Sequence, residues 1–244
     1  MKTNKNTILI TGGGSGIGLE IAKLFSKDNH VIITGRSEER LLKAVETLEN
    51  VSVIPFDITN AEDVDRLVAK ISKDFPNLNV LINNAGNASA YDILTPNVNA
   101  YEKSYDEMNT NFLSVVRLTE KLLPQLLKQE SSAIVNVSSI VAFVPSRAIA
   151  TYSSSKAALH SYTESLRLAL AETQTKVFDL MPPLVNTEFS KEIGGENGIP
   201  PQEVAQQLFQ AFESDTYEIH VGNTAEIYKL YFSSREDALT AMNS

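Results

Sequence analysis

A chain of 244 residues, 43% of them hydrophobic, is long enough for one large α/β domain with a substantial core. Its net charge of −9 argues against nucleic acid and anionic membrane as partners, because both reward basic surface. Without cysteine there is no disulfide, thiolate nucleophile or thiolate metal site, and His30, His160 and His220 show no ligand spacing, so no metal is expected.

Met1 to Asn6 is short and polar, and the apolar Ile8-Leu9-Ile10 is too brief for a signal segment. No uninterrupted apolar run approaches the roughly 18 residues that span a bilayer, so a soluble cytoplasmic protein is expected. Thr7 to Thr11 reads as a buried strand and Leu19 to Lys27 as a helix. Between them five glycines fall in the seven positions from Gly12 to Gly18. Strand, glycine loop and helix build an anion site, since the helix N-terminus offers unpaired N–H groups and glycine lets a pyrophosphate approach the backbone. The common G-x-G-x-x-G spacing is absent, and Thr-Gly-x-x-x-Gly-x-Gly stands from Thr11 to Gly18 instead.

A second strand, His30 to Thr34, ends at Gly35-Arg36-Ser37, and Glu38 to Leu48 is an amphipathic helix capped by Ser37. A dinucleotide's adenosine ribose would lie at this strand end, where an acid would accept a 2′-hydroxyl and an arginine can fork onto a 2′-phosphate. Arg36 stands there and no acid does, so NADP(H) is favoured, with NAD(H) the alternative. Val51 to Phe56 is a third strand closing on Asp57-Ile58, placed to meet an adenine edge. Asn60 to Lys73 is a helix with an apolar stripe of Val64, Leu67, Val68 and Ile71. Val80 to Ile82 is a fourth strand opening into Asn83-Asn84-Ala85-Gly86, whose small residues admit a ribose close to the backbone.

Asn87 to Tyr101 is polar and irregular, a loop near the cleft. Tyr105 to Gln129 reads as one long helix, apolar on more than one face, with Pro124 expected to kink or shorten it. That excess apolar surface points to burial against another subunit as well as the sheet. Asn111 breaks its pattern, either as a core hydrogen bonder or as part of a site.

Ile134, Val135 and Val137 form the strand that delivers Ser138 and Ser139 to its end, and thirteen residues after Ser139 comes Tyr152. If Tyr152 to Leu170 is helical, Lys156 lies one turn beyond Tyr152 on the same face. An ammonium near a phenol favours phenolate and lowers a pKa that is about 10 when unperturbed, making the pair an acid and base near neutrality. Val177 to Met181 is a sixth strand running into Pro182-Pro183, Gln202 to Phe212 a helix and Glu218 to Gly222 a last short strand. The stretch 187–201, rich in Gly and Pro from Ser190 on, reads as a short mobile lid, and the tail to Ser244 as helical or loosely ordered. Strands and helices alternate without linker or repeat, so residues 1–244 are expected to form a single domain around a doubly wound parallel sheet.

Thr11-Gly-x-x-x-Gly16-x-Gly18, Asn83-Asn-Ala-Gly86, Asn111, Ser139 and Tyr152-x-x-x-Lys156 stand in an order and separation that resembles the short-chain dehydrogenase/reductase family across nearly the whole chain. The Pro182-Pro183 pair looks like a bacterial subgroup typified by the oxidoreductase encoded beside the lipoteichoic acid D-alanylation genes. The resemblance implies a seven-stranded Rossmann sheet and an NADP(H)-dependent carbonyl reductase or alcohol dehydrogenase acting on a small-molecule ketone, aldehyde or secondary alcohol. Tyr152 would be the acid and base, Lys156 would bind the nicotinamide ribose and lower the Tyr152 pKa, Ser139 would orient the substrate oxygen, and Asn111 would hold a proton-relay water. Gly12, Ser15, Gly16, Ile17 and Gly18 would line the pyrophosphate, Arg36 the 2′-phosphate, Asp57 and Ile58 the adenine, Asn83, Ala85 and Gly86 the ribose region, and Val185 and Thr187 the carboxamide. Pro183 replaces a glycine, fixes φ and removes an N–H, so the loop leading to the nicotinamide is expected to take another path. A homodimer or homotetramer would form through the 105–129 and 152–170 helices. A non-catalytic NADP(H)-binding regulator on the same fold is the competing reading, and a nucleotide-sugar epimerase a third, for which 244 residues leave little room.

Overall fold

Runs of Ile, Val and Leu bounded by glycine or polar residues become seven strands: β1 (Thr7–Thr11), β2 (His30–Gly35), β3 (Val51–Pro55), β4 (Val80–Asn83), β5 (Ser132–Val137), β6 (Thr175–Met181) and β7 (Glu218–His220). The structure, a computed structural model, describes residues 1–244. All neighbouring strands are parallel, in the order β3-β2-β1-β4-β5-β6-β7. The order reverses between β1 and β4, and in open α/β sheets that switch point opens a crevice at the carboxyl ends of the strands.

The helices that cover the sheet are α1 (Gly16–Phe25), α2 (Glu38–Val45), α3 (Ala61–Asp74), α4 (Ala100–Met108), α5 (Ser114–Leu126), α6 (Ala150–Ala169), α7 (Pro201–Ser214), α8 (Thr224–Ser233) and α9 (Arg235–Asn243). Alternation along the strands splits the core into two layers. Ile8, Ile10, Ile33 and Phe178 pack on Ile21 and Phe25 of α1 and Leu208 and Phe212 of α7. Leu9, Ile32 and Leu81 pack on Val64 and Leu67 of α3, Leu118 and Leu122 of α5 and Leu166 of α6. Ser37 caps α2 by accepting from the Arg40 N–H, and Asn60 caps α3 by accepting from the Glu62 and Asp63 N–H groups.

Two expectations for the long helix are corrected. The helix read as beginning at Tyr105 starts at Ala100, and it is not one regular element: Asn109 to Leu113 is a π-helical turn between α4 and α5. The extra residue in that turn rotates Asn111 into the interior, where it is fully buried. Pro124 sits in the last turn of α5, which ends at Leu126. Of the two readings of the tail, the helical one holds: α8 and α9 cover Thr224 to Asn243, and α9 is tied to the loop after β5, the Asn243 side chain accepting from the Arg147 N–H at 2.7 Å and donating to the Pro145 carbonyl at 3.1 Å.

The segment 187–201 is two short 3₁₀ turns, Glu188–Ile193 and Gly195–Asn197. It is pinned at its base, where Asn186 donates to Ile199 at 2.8 Å and Ile199 donates to Leu184 at 3.0 Å. Pro182 and Pro183 lead into this segment, and Val185 and Thr187 line the crevice. No helix is long and apolar enough to cross a membrane.

Candidate active site

The carboxyl ends of β1, β2, β4, β5 and β6 open into one cleft of about 1030 Å³. At one end lies the glycine loop. Gly16 takes φ +54° as α1 begins, and a Cβ there would stand 3.2 Å from Thr187 Cγ2. A Cβ on Gly18 would fall 2.5 Å from Asn84 Nδ2 and 2.6 Å from the Gly12 carbonyl, so only glycine lets the loop fold back onto β4. The Ser15 side chain makes no capping bond, which leaves the first N–H groups of α1 facing the cleft.

Of the residues picked from the sequence, Gly12, Ser15, Gly16, Ile17, Arg36, Asp57, Ile58, Ala85, Gly86, Ser139, Tyr152, Lys156, Val185 and Thr187 line this cleft. Gly18, Asn83 and Asn111 do not. Gly18 shapes the loop from behind. Asn83 is a correction to the ribose assignment: strand alternation turns it inward, and its amide donates to Asn136 Oδ1 at 2.8 Å and Thr119 Oγ1 at 3.3 Å. Its neighbour Asn84 carries out the loop work instead, donating to the Thr11 carbonyl at 3.0 Å and the Gly12 carbonyl at 3.1 Å. Asn111 is a buried hydrogen bonder behind the cleft: Oδ1 accepts from the Asn87 N–H at 2.7 Å, and Nδ2 donates to the Asn87 carbonyl and to Ser155 Oγ at 2.9 Å. A Cβ added at Gly86 would lie 3.4 Å from Asn111 Oδ1 and 3.9 Å from Lys156 Nζ, so the amide and the ammonium flank one glycine.

The far end holds the titrating groups. Lys156, 3% exposed, donates from Nζ to the Val137 carbonyl at 2.7 Å and lies 5.5 Å from the centre of the Tyr152 ring. Burial lowers its pKa to about 8 against the opposing charge of Asp179. The Tyr152 phenol shifts the other way from the sequence expectation. Burial raises its pKa, the charge of Glu107 raises it further, and a hydrogen bond with Ser139 pulls it down. The Lys156 ammonium is hydrogen-bonded to a strand carbonyl rather than to the phenol. Ser139 also accepts from the Val141 N–H at 3.3 Å, which fixes the hydroxyl at the start of a short 3₁₀ turn.

Three features escaped the sequence reading. Arg40, one turn into α2, lines the cleft beside Arg36 and Ser37 and puts a second cation there. Glu107 is fully buried: Oε1 accepts from the Ser89 N–H at 2.7 Å, while Oε2 has no hydrogen-bond partner. Met242 of α9 joins Ile149 and Tyr152 in an apolar cluster on the substrate side. Only Arg40 had a local signal, as a residue facing Arg36 from the next helix; the other two depend on which distant elements meet.

The family profile described as short chain dehydrogenase matches residues 6–198. An uncharacterized oxidoreductase of Bacillus subtilis (strain 168), DltE, is 37% identical over 216 residues, covering 88% of this chain and 85% of its own length. An uncharacterized oxidoreductase of Staphylococcus aureus (strain MW2) is 30% identical over 214 residues, 86% of this chain and 91% of its own. Among solved structures, a short chain dehydrogenase from Burkholderia cenocepacia J2315 in complex with NADP superposes with a TM-score of 0.88 at 26% identity, covering 99% of both chains. A short chain dehydrogenase/reductase from Burkholderia phymatum in complex with NAD has the same fold, with a TM-score of 0.87 at 20% identity over 100% of this chain and 97% of its own. With the glycine loop, the seven-stranded sheet and the Ser139, Tyr152 and Lys156 cluster on one cleft, the chain belongs to the short-chain dehydrogenase family of oxidoreductases.

Proposed function

We propose that the chain is an NADP(H)-dependent carbonyl reductase, equally an alcohol dehydrogenase in reverse, acting on a small-molecule ketone, aldehyde or secondary alcohol. The observation that carries this reading is the convergence of Ser139, Tyr152 and Lys156 at one end of a cleft whose other end offers a glycine loop and two arginines. The donor set suits the cofactor: a bare helix N-terminus for the pyrophosphate, Arg36 and Arg40 for a 2′-phosphate, and small Ala85 and Gly86 for the ribose. A solved structure at 26% identity holds NADP, in keeping with a nicotinamide cofactor, and the two arginines carry the choice of the phosphorylated form.

When bound, the cofactor supplies or takes a hydride at its nicotinamide ring. The protein's residues do the rest. Ser139, held by its bond from Val141, donates to the substrate oxygen and orients it. Tyr152 gives a proton to that oxygen in reduction or removes one from the alcohol in oxidation. Lys156 holds the ribose hydroxyls and places a positive charge beneath the phenol, and Asn111 keeps the Asn87 backbone and α6 in register around it. Segment 187–201 and Met242 close the substrate side.

NADPH oxidation across a panel of ketones and aldehydes tests this. Tyr152→Phe is expected to cost 10²-fold to 10⁴-fold in turnover while NADPH affinity stays within a few-fold. Unchanged turnover in that variant rejects the mechanism, and tight NADPH binding without turnover on any carbonyl returns the chain to a regulator. Arg36→Ala and Arg40→Ala should each weaken NADPH about tenfold or more and leave NADH unaffected.

A further inference from the structure

Behind Lys156 lies a second group of polar residues that the proposed reaction does not use. Asp179, near the end of β6, is fully buried. One of its carboxylate oxygens accepts from Ser138 Oγ, and the other meets His160 Nδ1 at 2.7 Å. The two partners bracket the active site. Ser138 follows Val137, whose carbonyl receives the Lys156 ammonium, and precedes Ser139. His160 stands one turn beyond Lys156 on α6, so Tyr152, Lys156 and His160 share one helix stripe at four-residue spacing.

A buried carboxylate is costly unless it is both hydrogen-bonded and matched by a positive charge. Asp179 has two positive candidates, the His160 ring at the protein surface and the Lys156 ammonium inside. The groups facing them are Glu107 on α4 beyond Tyr152, Glu164 on α6, Glu218 and His220 on β7, and Tyr228 on α8. Glu164 approaches His160 Nε2 at 3.8 Å and Arg167 occupies Glu218 at 3.1 Å, so the outer acids are partly engaged. Glu107 faces the phenol and is held by Ser89.

We propose that Asp179 is a positioning residue for the active site: clamped by Ser138 and His160, its carboxylate is the counter-charge that keeps the buried Lys156 charged and seated under the nicotinamide ribose. Burial works against the ammonium, and the carboxylate of Asp179, held in place by Ser138 and His160, is the charge that opposes that effect. His160 sets how much of that charge Lys156 feels. A protonated imidazole bonded to the carboxylate neutralises it; a neutral imidazole leaves the full negative charge for the lysine. The pull of Asp179 raises the His160 pKa, its first cause being their hydrogen bond, so the hand-over falls above the ordinary histidine range.

The inference rests on the placement of the cofactor ribose over Lys156, and its test does not require turnover. NADPH affinity is measured by fluorescence from pH 6 to 10 in the wild type, with Lys156→Met as the reference in which the alkaline fall in affinity disappears. Asp179→Asn keeps the shape and removes the charge; its alkaline fall should move down by about one pH unit. His160→Lys puts a permanent cation on the carboxylate and should move it in the same direction, whereas His160→Gln keeps a donor without charge and should leave it at the wild-type position. Both histidine variants retain Asp179, so the comparison survives if Asp179→Asn does not fold. Coincident profiles for His160→Lys and His160→Gln overturn the proposal, as does a folded Asp179→Asn with the wild-type profile. An active Tyr152→Phe would instead reject the catalytic reading and leave these affinity profiles standing.

Discussion

Lys156 carries its charge in a place that does not favour it, and the sign of that cost can be followed with pH. Its native pKa of about 8 lies below the ordinary 10.5, so between those values the unfolded chain holds a proton that the native chain lacks. Stability therefore climbs as pH rises through that window, and below about pH 8 the native state bears the full cost of the buried charge, at most about 3 kcal/mol. Lys156→Met fills similar space without charge. After allowing about 1 kcal/mol for the lost bond to Val137, the variant should be more stable than wild type by about 1–2 kcal/mol at pH 7. Urea denaturation at pH 7 and pH 10 checks this, and the advantage should fade at the higher pH. Destabilisation at pH 7 would mean that Val137 and Asp179 together repay the burial. An inactive but sturdier variant is what a functional residue held against local energetics should give.

At the scale of elements, the glycine loop and the π turn show what a linear pattern can and cannot reveal. The strand, glycine and helix order of β1 and α1 is local chemistry, and it could be read directly. Within it the glycines are not equivalent. Gly18→Ala would drive a Cβ into Asn84 Nδ2 at 2.5 Å and the Gly12 carbonyl at 2.6 Å, breaking the amide that joins the loop to β4. A loss of about 1–3 kcal/mol is expected, with at least a tenfold drop in NADPH affinity on the order of that loop's disruption. A Cβ at Gly14 comes no nearer than 3.2 Å to Leu41 Cδ2, a contact that a shift of a few tenths of an ångström relieves, so the melting temperature of Gly14→Ala should stay within a few degrees of wild type. Equal losses in the two variants would refute this account of the loop. The π turn was not legible, because no local pattern in Asn109 to Leu113 marks an inserted residue, and Asn111 finds its partners in Asn87 and Ser155, which lie elsewhere in the chain. Asn83 was misassigned for a related reason: two adjacent asparagines alternate across the pleat, and only the partners Asn136 and Thr119 reveal which one turns inward. The same limit hid Glu107 and the Asp179 and His160 pair, whose partners lie on elements far apart in the chain.

For the whole molecule, the parallel sheet leaves no ambiguity about its core, since both faces are covered by helices, but the outer face of α4, α5 and α6 is not finished. Leu113 is 48% exposed where the π turn meets α5, Leu168 is 78% exposed at the end of α6, and Tyr101 and Tyr105 stand out from α4. Phe112 of the π turn and Tyr162 of α6 pack edge to face, adding an aromatic pair to the apolar residues of this face. Single exposed leucines need no explanation, whereas a contiguous strip across adjoining helices marks an association surface. An isologous contact between two such faces would pair each helix with its copy and bury the strip without touching the cleft. Sedimentation equilibrium at micromolar concentration should therefore report a dimer or tetramer. Leu113→Glu and Leu168→Glu, each placing a charge on the strip and none in the core, should shift the chain toward monomer with the fold retained by circular dichroism. A monomeric wild type removes the claim. Dissociation without loss of NADPH binding would show that each subunit holds its cofactor cleft unaided, as expected of a site drawn from the strand ends of a single sheet.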